Sequence, residues 1–258
     1  MTTIVYPKGF HSCRLRIDCG DLVYAILFCR VLHTRNLYVG TNDDVIFYRG
    51  LNGFGCLPGK CGRQALDFIY PLVLRQKENF DVIEEYKDQE YSYDFAEFDF
   101  NNPPIQGTNL TEWHAHKFNI NWLDFDSPWL VADTDDSFKN KILVGKTSRY
   151  TVVGNPVYKN ILESHKGNCV FVGLEQEFLD FKQQYDLEIE FFNTNDVLKI
   201  ASAINSCRAF VGNSSLFAAI AIGLGKRTFI ELNRINNYLF FNGYTTYFYE
   251  TGTGYHLR

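Results

Sequence analysis

Apolar residues along the second half of the chain fall into short runs that alternate with longer stretches of helical period. Residues 141–144, 169–172, 189–192, 209–211 and 227–232 each read as a strand, being short, apolar and rich in Val, Ile and Phe. Between them, 156–164, 175–185, 197–204 and 216–223 read as helices. Asn195 or Asp196 is placed to cap the third of these, since either side chain can accept from free backbone N–H groups. Short apolar strands alternating with helices predict an α/β fold with a parallel sheet covered on both faces.

The first half repeats the pattern less cleanly. Residues 15–19 read as a strand, broken by Gly20 and Asp21. Leu22, Ala25, Ile26, Cys29, Val31 and Leu32 then put an apolar stripe on a helix, with Asp21 suited to its N-cap. Further strands are expected at 37–39, 45–48 and 81–85, and a helix at 65–74 interrupted by Pro71. Residues 90–136 are rich in Asp, Asn, Pro and aromatics and keep no sustained period. They read as ordered loops and short helices, with a domain boundary between about Asp126 and Lys141.

Composition narrows the class. Of 258 residues, 46% are hydrophobic and 21% charged, the balance of a globular protein, which excludes a disordered, collagen-like or coiled-coil chain. The richest apolar stretch, 22–32, is interrupted by Tyr24 and Arg30 and is too short to span a bilayer. Residues 1–20 show no apolar core of a signal peptide, so a cytoplasmic location is expected. A net charge of −5 disfavours nucleic acid as the partner. Seven dispersed cysteines are no disulfide framework, which fits a reducing compartment. Cys56 and Cys61 lack a second ligand pair at zinc-site spacing, so no metal is expected there.

The strongest candidate site is the turn Gly212-Asn213-Ser214-Ser215, between a buried strand and a helix rich in Ala and Ile. A helix N-terminus offers unpaired N–H groups and a partial positive charge, which suit phosphate. Gly212 permits close approach, and the serine hydroxyls add hydrogen bonds. The same turn also reads as a plain Ser-capped helix. Asp21, past the first strand, sits where open α/β sheets bind ligands, and could serve as a general base or simply as a cap. Lys146 and Arg149 follow a strand end and suit a diphosphate or a solvated surface. Glu175 and Glu177 suit a sugar or ribose hydroxyl, or merely the dipole of their helix, and Glu231 has a similar double reading. His114 and His116 lack an evident third metal ligand and read better beside an acceptor, as an acid or base.

With these residues in view, the chain resembles the GT-B glycosyltransferases, and among them the ADP-heptose:lipopolysaccharide heptosyltransferase type, glycosyltransferase family 9. Residues 19–26, CGDLVYAI, look like the family's Gly-Asp opening of the first helix. Residues 204–231, INSCRAFVGNSSLFAAIAIGLGKRTFIE, look like its donor-site strand, turn, helix and strand. The KTSRY and VFVGLEQEF segments fit between them, and about half the chain is covered. Two departures stand out. The family's turn usually carries Asp, then Thr or Ser, then Gly, where Asn213, Ser214 and Ser215 stand here. Ala218 falls where the family has a His.

The resemblance implies two Rossmann-like domains facing a cleft. Residues 1–138 would bind the acceptor, 139–232 the nucleotide-sugar, and 233–258 would return to the first domain. It implies that Asp21 is the base and that Gly212 to Ser215 hold the diphosphate, helped by Arg149 or Lys146. It also implies transfer without a bound metal or cofactor, the nucleotide-sugar being a substrate and a glycan or lipid-linked glycan the expected acceptor. Asp133-Thr134-Asp135 lies in the polar linker and is set aside as a metal motif. Two alternatives stay open: a non-catalytic nucleotide or nucleotide-sugar-binding protein of the same fold, and a phage-type glycosyltransferase acting on modified DNA bases.

Overall fold

A computed structural model describes residues 12–15, 19–31, 36–39, 61–80, 82–85, 93–94, 115–116, 118–120, 127–147, 154–232, 245–251 and 254–257. The first half forms a parallel sheet of β1 (Ser12–Leu15), β2 (Asn36–Val39), β3 (Val82–Glu85) and β4 (Tyr93–Asp94), in the order β3-β2-β1-β4. Two helices accompany it, α1 (Cys19–Val31) and α2 (Cys61–Leu74). The strand expected at 45–48 lies outside the described residues, as does most of 90–126.

Three local expectations change here, the first being that the strand read at 15–19 is β1, which ends at Leu15. Helix α1 begins at Cys19, so Asp21 lies inside its first turn and not at the cap. A carboxylate there still meets the positive end of the helix dipole. Pro71 does not interrupt α2, which runs on to Leu74. Ile69, Leu72 and Val73 on both sides of it are buried, and that packing holds the last turn despite the missing N–H.

The second sheet contains β5 (Ile142–Gly145), β6 (Cys169–Phe171), β7 (Glu190–Phe191), β8 (Ala209–Asn213), β9 (Thr228–Leu232), β10 (Thr245–Thr251) and β11 (Gly254–Leu257). Their order is β11-β10-β9-β8-β5-β6-β7, parallel throughout except for the β10–β11 hairpin. The helices between them are α3 (Pro156–Ser164), α4 (Glu175–Tyr185), α5 (Val197–Ser206) and α6 (Leu216–Gly223). Asn155 caps α3 and Asp196 caps α5, each accepting from the helix's first N–H groups.

Of the segment 233–258, expected to return to the first domain, the described residues form β10 and β11 on the second sheet. β10 pairs in parallel with β9, from Thr245 opposite Thr228 to Tyr249 opposite Leu232. Phe248 accounts for this choice. It is fully buried, edge-on to Tyr158, in the core beneath α3 and α4. The Thr228 and Thr245 hydroxyls also hydrogen-bond at 2.9 Å.

That core fills one face of the second sheet with Ile142, Val144, Leu162, Phe171 and Phe181. The other face packs Leu143, Val170, Phe210 and Ile230 under α5 and α6, and the same core continues into α1 and α2. Helix α1 lies on α6, and α2 on α5. Helix α6 is buried from Ala218 to Gly223, so both its faces are covered, one by the sheet and one by α1. Its small residues let α1 approach closely.

Residues 127–135 strap the halves together, and the expected domain boundary falls on them. Trp129 N and Leu130 N both donate to Gly223 O at 2.9 Å, while Trp129 Nε1 donates to Val23 O in α1 at 3.0 Å. A side chain at Gly223 would press on the Leu130 side chain and force it to shift, so glycine lets the strap lie close at this crossing. The buried Gln76 amide grips Val131 twice, donating to its carbonyl at 2.9 Å and accepting from its N–H at 2.8 Å. Asn205 of α5 donates to Ala132 O at 2.9 Å. No helix among the described residues is long and apolar enough to cross a membrane.

Trp129 touches α1, α6 and the strap at once. Its replacement by Ala is expected to cost about 3–5 kcal/mol, the usual range for deleting a buried aromatic. Urea unfolding checks this, and an unchanged midpoint would mean that the strap does not hold the halves.

Candidate functional site

From β5 the chain winds outward to β6 and β7, then returns past β5 to lay down β8, β9 and β10 on the other side. The helices that follow β5 and β8, α3 and α6, therefore pack on opposite faces of the sheet. Such a switch point opens a crevice at the carboxyl ends of the strands, where α/β sheets take ligands. The β5 exit carries Gly145, Lys146 and Thr147, and the β8 exit carries Gly212 to Ser215. The sequence-predicted turn and Lys146 are thus brought together.

Gly145 and Gly212 are register partners. A Cβ on Gly212 would collide with the Gly145 carbonyl oxygen and stand 2.8 Å from the Phe210 ring. Only glycine fits there. Asn213 turns inward and is fully buried. Its Nδ2 donates to Thr147 O at 2.7 Å, and its Oδ1 accepts from Thr147 N at 2.9 Å. This side-chain clamp extends the β5–β8 pairing beyond the strand ends. Ser214 and Ser215 are half-buried, and Ser215 caps α6 by accepting from Ala218 N at 3.3 Å.

Behind the turn lies a buried polar group. Lys146 Nζ donates to the Tyr185 hydroxyl at 2.7 Å and stands 3.9 Å from Glu231 Oε2. It also lies over the Tyr158 and Tyr185 rings, 4.5 and 5.0 Å from their centroids. Glu231 is fully buried. It accepts from Asn155 Nδ2 at 2.7 Å and from the Tyr158 hydroxyl at 3.2 Å. Burial pulls the Lys146 ammonium down to about 8, with the Glu231 charge pulling the other way. Burial first, and then the Glu231 charge, push the Tyr158 phenol well above its usual value.

Lys146 and Glu231 are thus drawn inward to one another. Sequence reasoning missed Asn155, Tyr158 and Tyr185 as their partners. The signal was present in β9, where one carboxylate stands in the apolar run TFIEL. A charge on a buried strand requires partners, but nothing local says which.

The other predicted residues lie apart from this group or outside the described residues. Glu175 is exposed in the first turn of α4, and Glu177 accepts from Leu174 N at 3.0 Å, closing the start of that helix. Asp21 lies in the first turn of α1, with its side chain outside the description. Val23, two residues on, is tied through Trp129 to the C-terminal end of α6, while the serine turn occupies the other end. His116 is exposed, and its carbonyl accepts from Asn119 N at 3.2 Å. Arg149, His114 and Cys56 lie outside the described residues. Among the described residues, no three His, Cys, Asp or Glu side chains gather as a metal site.

No protein-family model and no curated protein sequence matches the chain. Solved structures do. The glycosyl transferase family 9 protein of Veillonella parvula DSM 2008 is similar over 93% of this chain and 85% of its own, with a TM-score of 0.53 and 8% identity. The E. coli heptosyltransferase WaaC, solved with ADP-2-deoxy-2-fluoro heptose, is similar over 94% of each chain, with a TM-score of 0.51 and 8% identity. At that identity the likeness is one of fold. The chain is an α/β protein of GT-B-like architecture, similar to family 9 glycosyltransferases.

The Lys146 environment predicts a pH effect on stability. The unfolded chain holds this proton up to about pH 10.5, the folded one only to about 8. Between those values the folded state binds fewer protons, so Lys146 makes stability rise with pH, by about 3 kcal/mol in all. Tyr158 acts in the opposite sense above about pH 10, where the unfolded phenol ionises first. Urea unfolding at pH 7.5, 8.5 and 9.5 should show the protein gaining on its Lys146→Met variant. A constant difference would remove Lys146 as a titrating group.

Proposed function

We propose that the protein is a glycosyltransferase, moving a sugar from a nucleotide-diphosphate-sugar to an acceptor hydroxyl. One observation carries the reading. In a fold shared with solved glycosyltransferases, two half-buried serines stand at the start of α6, beside the topological switch point of the sheet. A nucleotide-sugar donor is supported by the ADP-heptose analogue bound to the E. coli neighbour.

The diphosphate rests on the serine turn. Ser214 and Ser215 donate to it, and the N-terminus of α6 meets its charge, while Gly212 lets β8 close against Gly145 beneath the turn. Arg149, four residues past the end of β5 in sequence, adds a guanidinium fork suited to two phosphate oxygens. Asp21 accepts the proton of the acceptor hydroxyl. The acceptor oxygen attacks the anomeric carbon, and the bond to the diphosphate breaks with its electron pair leaving on the phosphate oxygen. Arg149, the serines and the start of α6 are the groups offered to the diphosphate charge, and the step is proposed without a metal. A glycan or lipid-linked glycan supplies the acceptor hydroxyl.

One observation favours a second reading, a nucleotide-sugar-binding protein without transfer. Ala218, at the position where heptosyltransferases carry a His, is a fully buried methyl in the core between α6 and its neighbours. A thermal-shift panel of nucleotides and nucleotide-sugars tests donor binding, because a bound ligand raises the melting temperature. Slow release of free sugar without acceptor then separates the readings, since a binding protein releases none.

Replacing Ser214 and Ser215 by Ala should weaken nucleoside-diphosphate binding by ~1–3 kcal/mol, the range for lost hydrogen bonds to a charged group. The lost cap adds about 1 kcal/mol to the instability. Calorimetry that returns the unaltered affinity would place the phosphates elsewhere.

Asp21→Asn should slow transfer by ~10²–10⁴-fold, the usual cost of a lost general base. Donor affinity should stay, and stability should fall only by the few tenths to about 1 kcal/mol that a charge at a helix start contributes. A variant that transfers at the full rate would reduce Asp21 to a helix-start acid and turn attention to His114 and His116.

A further inference from the structure

The buried group around Glu231 has no part in the transfer step above, yet it lies directly behind the serine turn. Asn213 and Glu231 are register partners across β8 and β9. Asn213 grips the Thr147 backbone from one side. Glu231 holds Lys146, the residue before Thr147, with Oε2, and holds Asn155, the cap of α3, with Oε1. One carboxylate therefore ties the exit of β5, the start of α3 and the end of β9 around the turn that begins with Ser214.

A buried ion pair is a poor way to gain stability, because desolvation offsets most of the attraction. Its stronger effect is geometric, since each carboxylate oxygen accepts only along fixed directions. We propose that Glu231 is a positioning residue for the donor phosphates, acting through Lys146 and Asn155 to hold the β5 exit and the start of α3 against the serine turn. This rests on the reading that the serine turn takes the donor diphosphate.

The hold depends on the charge of Lys146. Among the described residues, the titratable groups facing it are Tyr158 from α3, Tyr185 from α4 and Glu231 from β9. Its proton leaves at about 8, and the attraction to Glu231 goes with it. The positioning is therefore complete at pH 7 and weakens above pH 8. Removing the Glu231 charge takes away what raises the Lys146 value, so the transition moves to lower pH.

The test is calorimetric titration of ADP, GDP, UDP and CDP between pH 6.5 and 9.5, into the protein, Glu231→Gln, Asn155→Ser and the Ser214/Ser215 double Ala variant. For the unaltered protein, the best-bound diphosphate should weaken about tenfold from pH 7 to 9, with its midpoint near 8. Glu231→Gln should weaken binding about tenfold at pH 7.5 and move the midpoint down. Asn155→Ser keeps the α3 cap, loses the donor to Glu231, and should weaken binding several-fold with the midpoint unmoved.

If both single variants bind and titrate like the unaltered protein while the serine variant has lost affinity, Glu231 positions nothing and the donor reading stands. An effect confined to Glu231→Gln would make Lys146 a direct phosphate contact and overturn the proposal. Absence of binding by the unaltered protein at every pH would overturn the donor reading, and this proposal with it. Should Glu231→Gln fail to fold, the Asn155→Ser affinity and the pH profile of the unaltered protein decide alone.

Discussion

A carboxylate stands on an interior strand of the second sheet, and burying a charge is tolerable only if it is surrounded. Glu231 meets that demand with an ammonium, a phenol and an amide drawn from β5, α3 and the residue that caps α3. Those partners in turn determine where β5 ends and α3 begins. Phe248 packs against the Tyr158 ring, so the last parallel strand also settles against this group. One buried charge thus organises the carboxyl edge of the sheet and half of its core.

The halves of the chain are joined by a different kind of contact. Helix α6 has almost no polar surface and would be unstable with one face open to water. Its run of Ala and Ile, ending at Gly223, is covered by the sheet beneath and by α1 above. Small side chains bring the helix axes close, and the strap through Trp129 and Gln76 satisfies the backbone groups left at the crossing. The result is a shared core running from α1 through α6 to the second sheet.

Within the serine turn, neighbouring residues do opposite work. Asn213 is spent inward, pairing with Thr147. Ser214 and Ser215 stay half-buried at the crevice. The division follows from the strand itself, whose last residue still points along the sheet while the next two belong to the turn. Lys146 follows the same logic just past β5, where it turns inward toward Glu231 and the tyrosines.

Local pattern alone determined most of the second half. The apolar runs from Ile142 to Leu232 fall where the strands are, and Asp196 and Ser215 cap the helices whose starts they mark. This works because strand and helix periods, and caps, depend on neighbours a few residues away. The passage of α2 through Pro71 depended on burial against distant elements. So did the C-terminal strands, because TTYFYET carries polar and aromatic residues on both faces and its place was settled by Phe248 finding Tyr158. The partners of Glu231 are 73 to 85 residues away or nearly so, and only the return of the chain past β5 brings Lys146, Asn155 and Tyr158 beside it. A buried charge was visible in the sequence, but its neutralisation was decided by topology, because attraction between charges depends on distance in space and not along the chain.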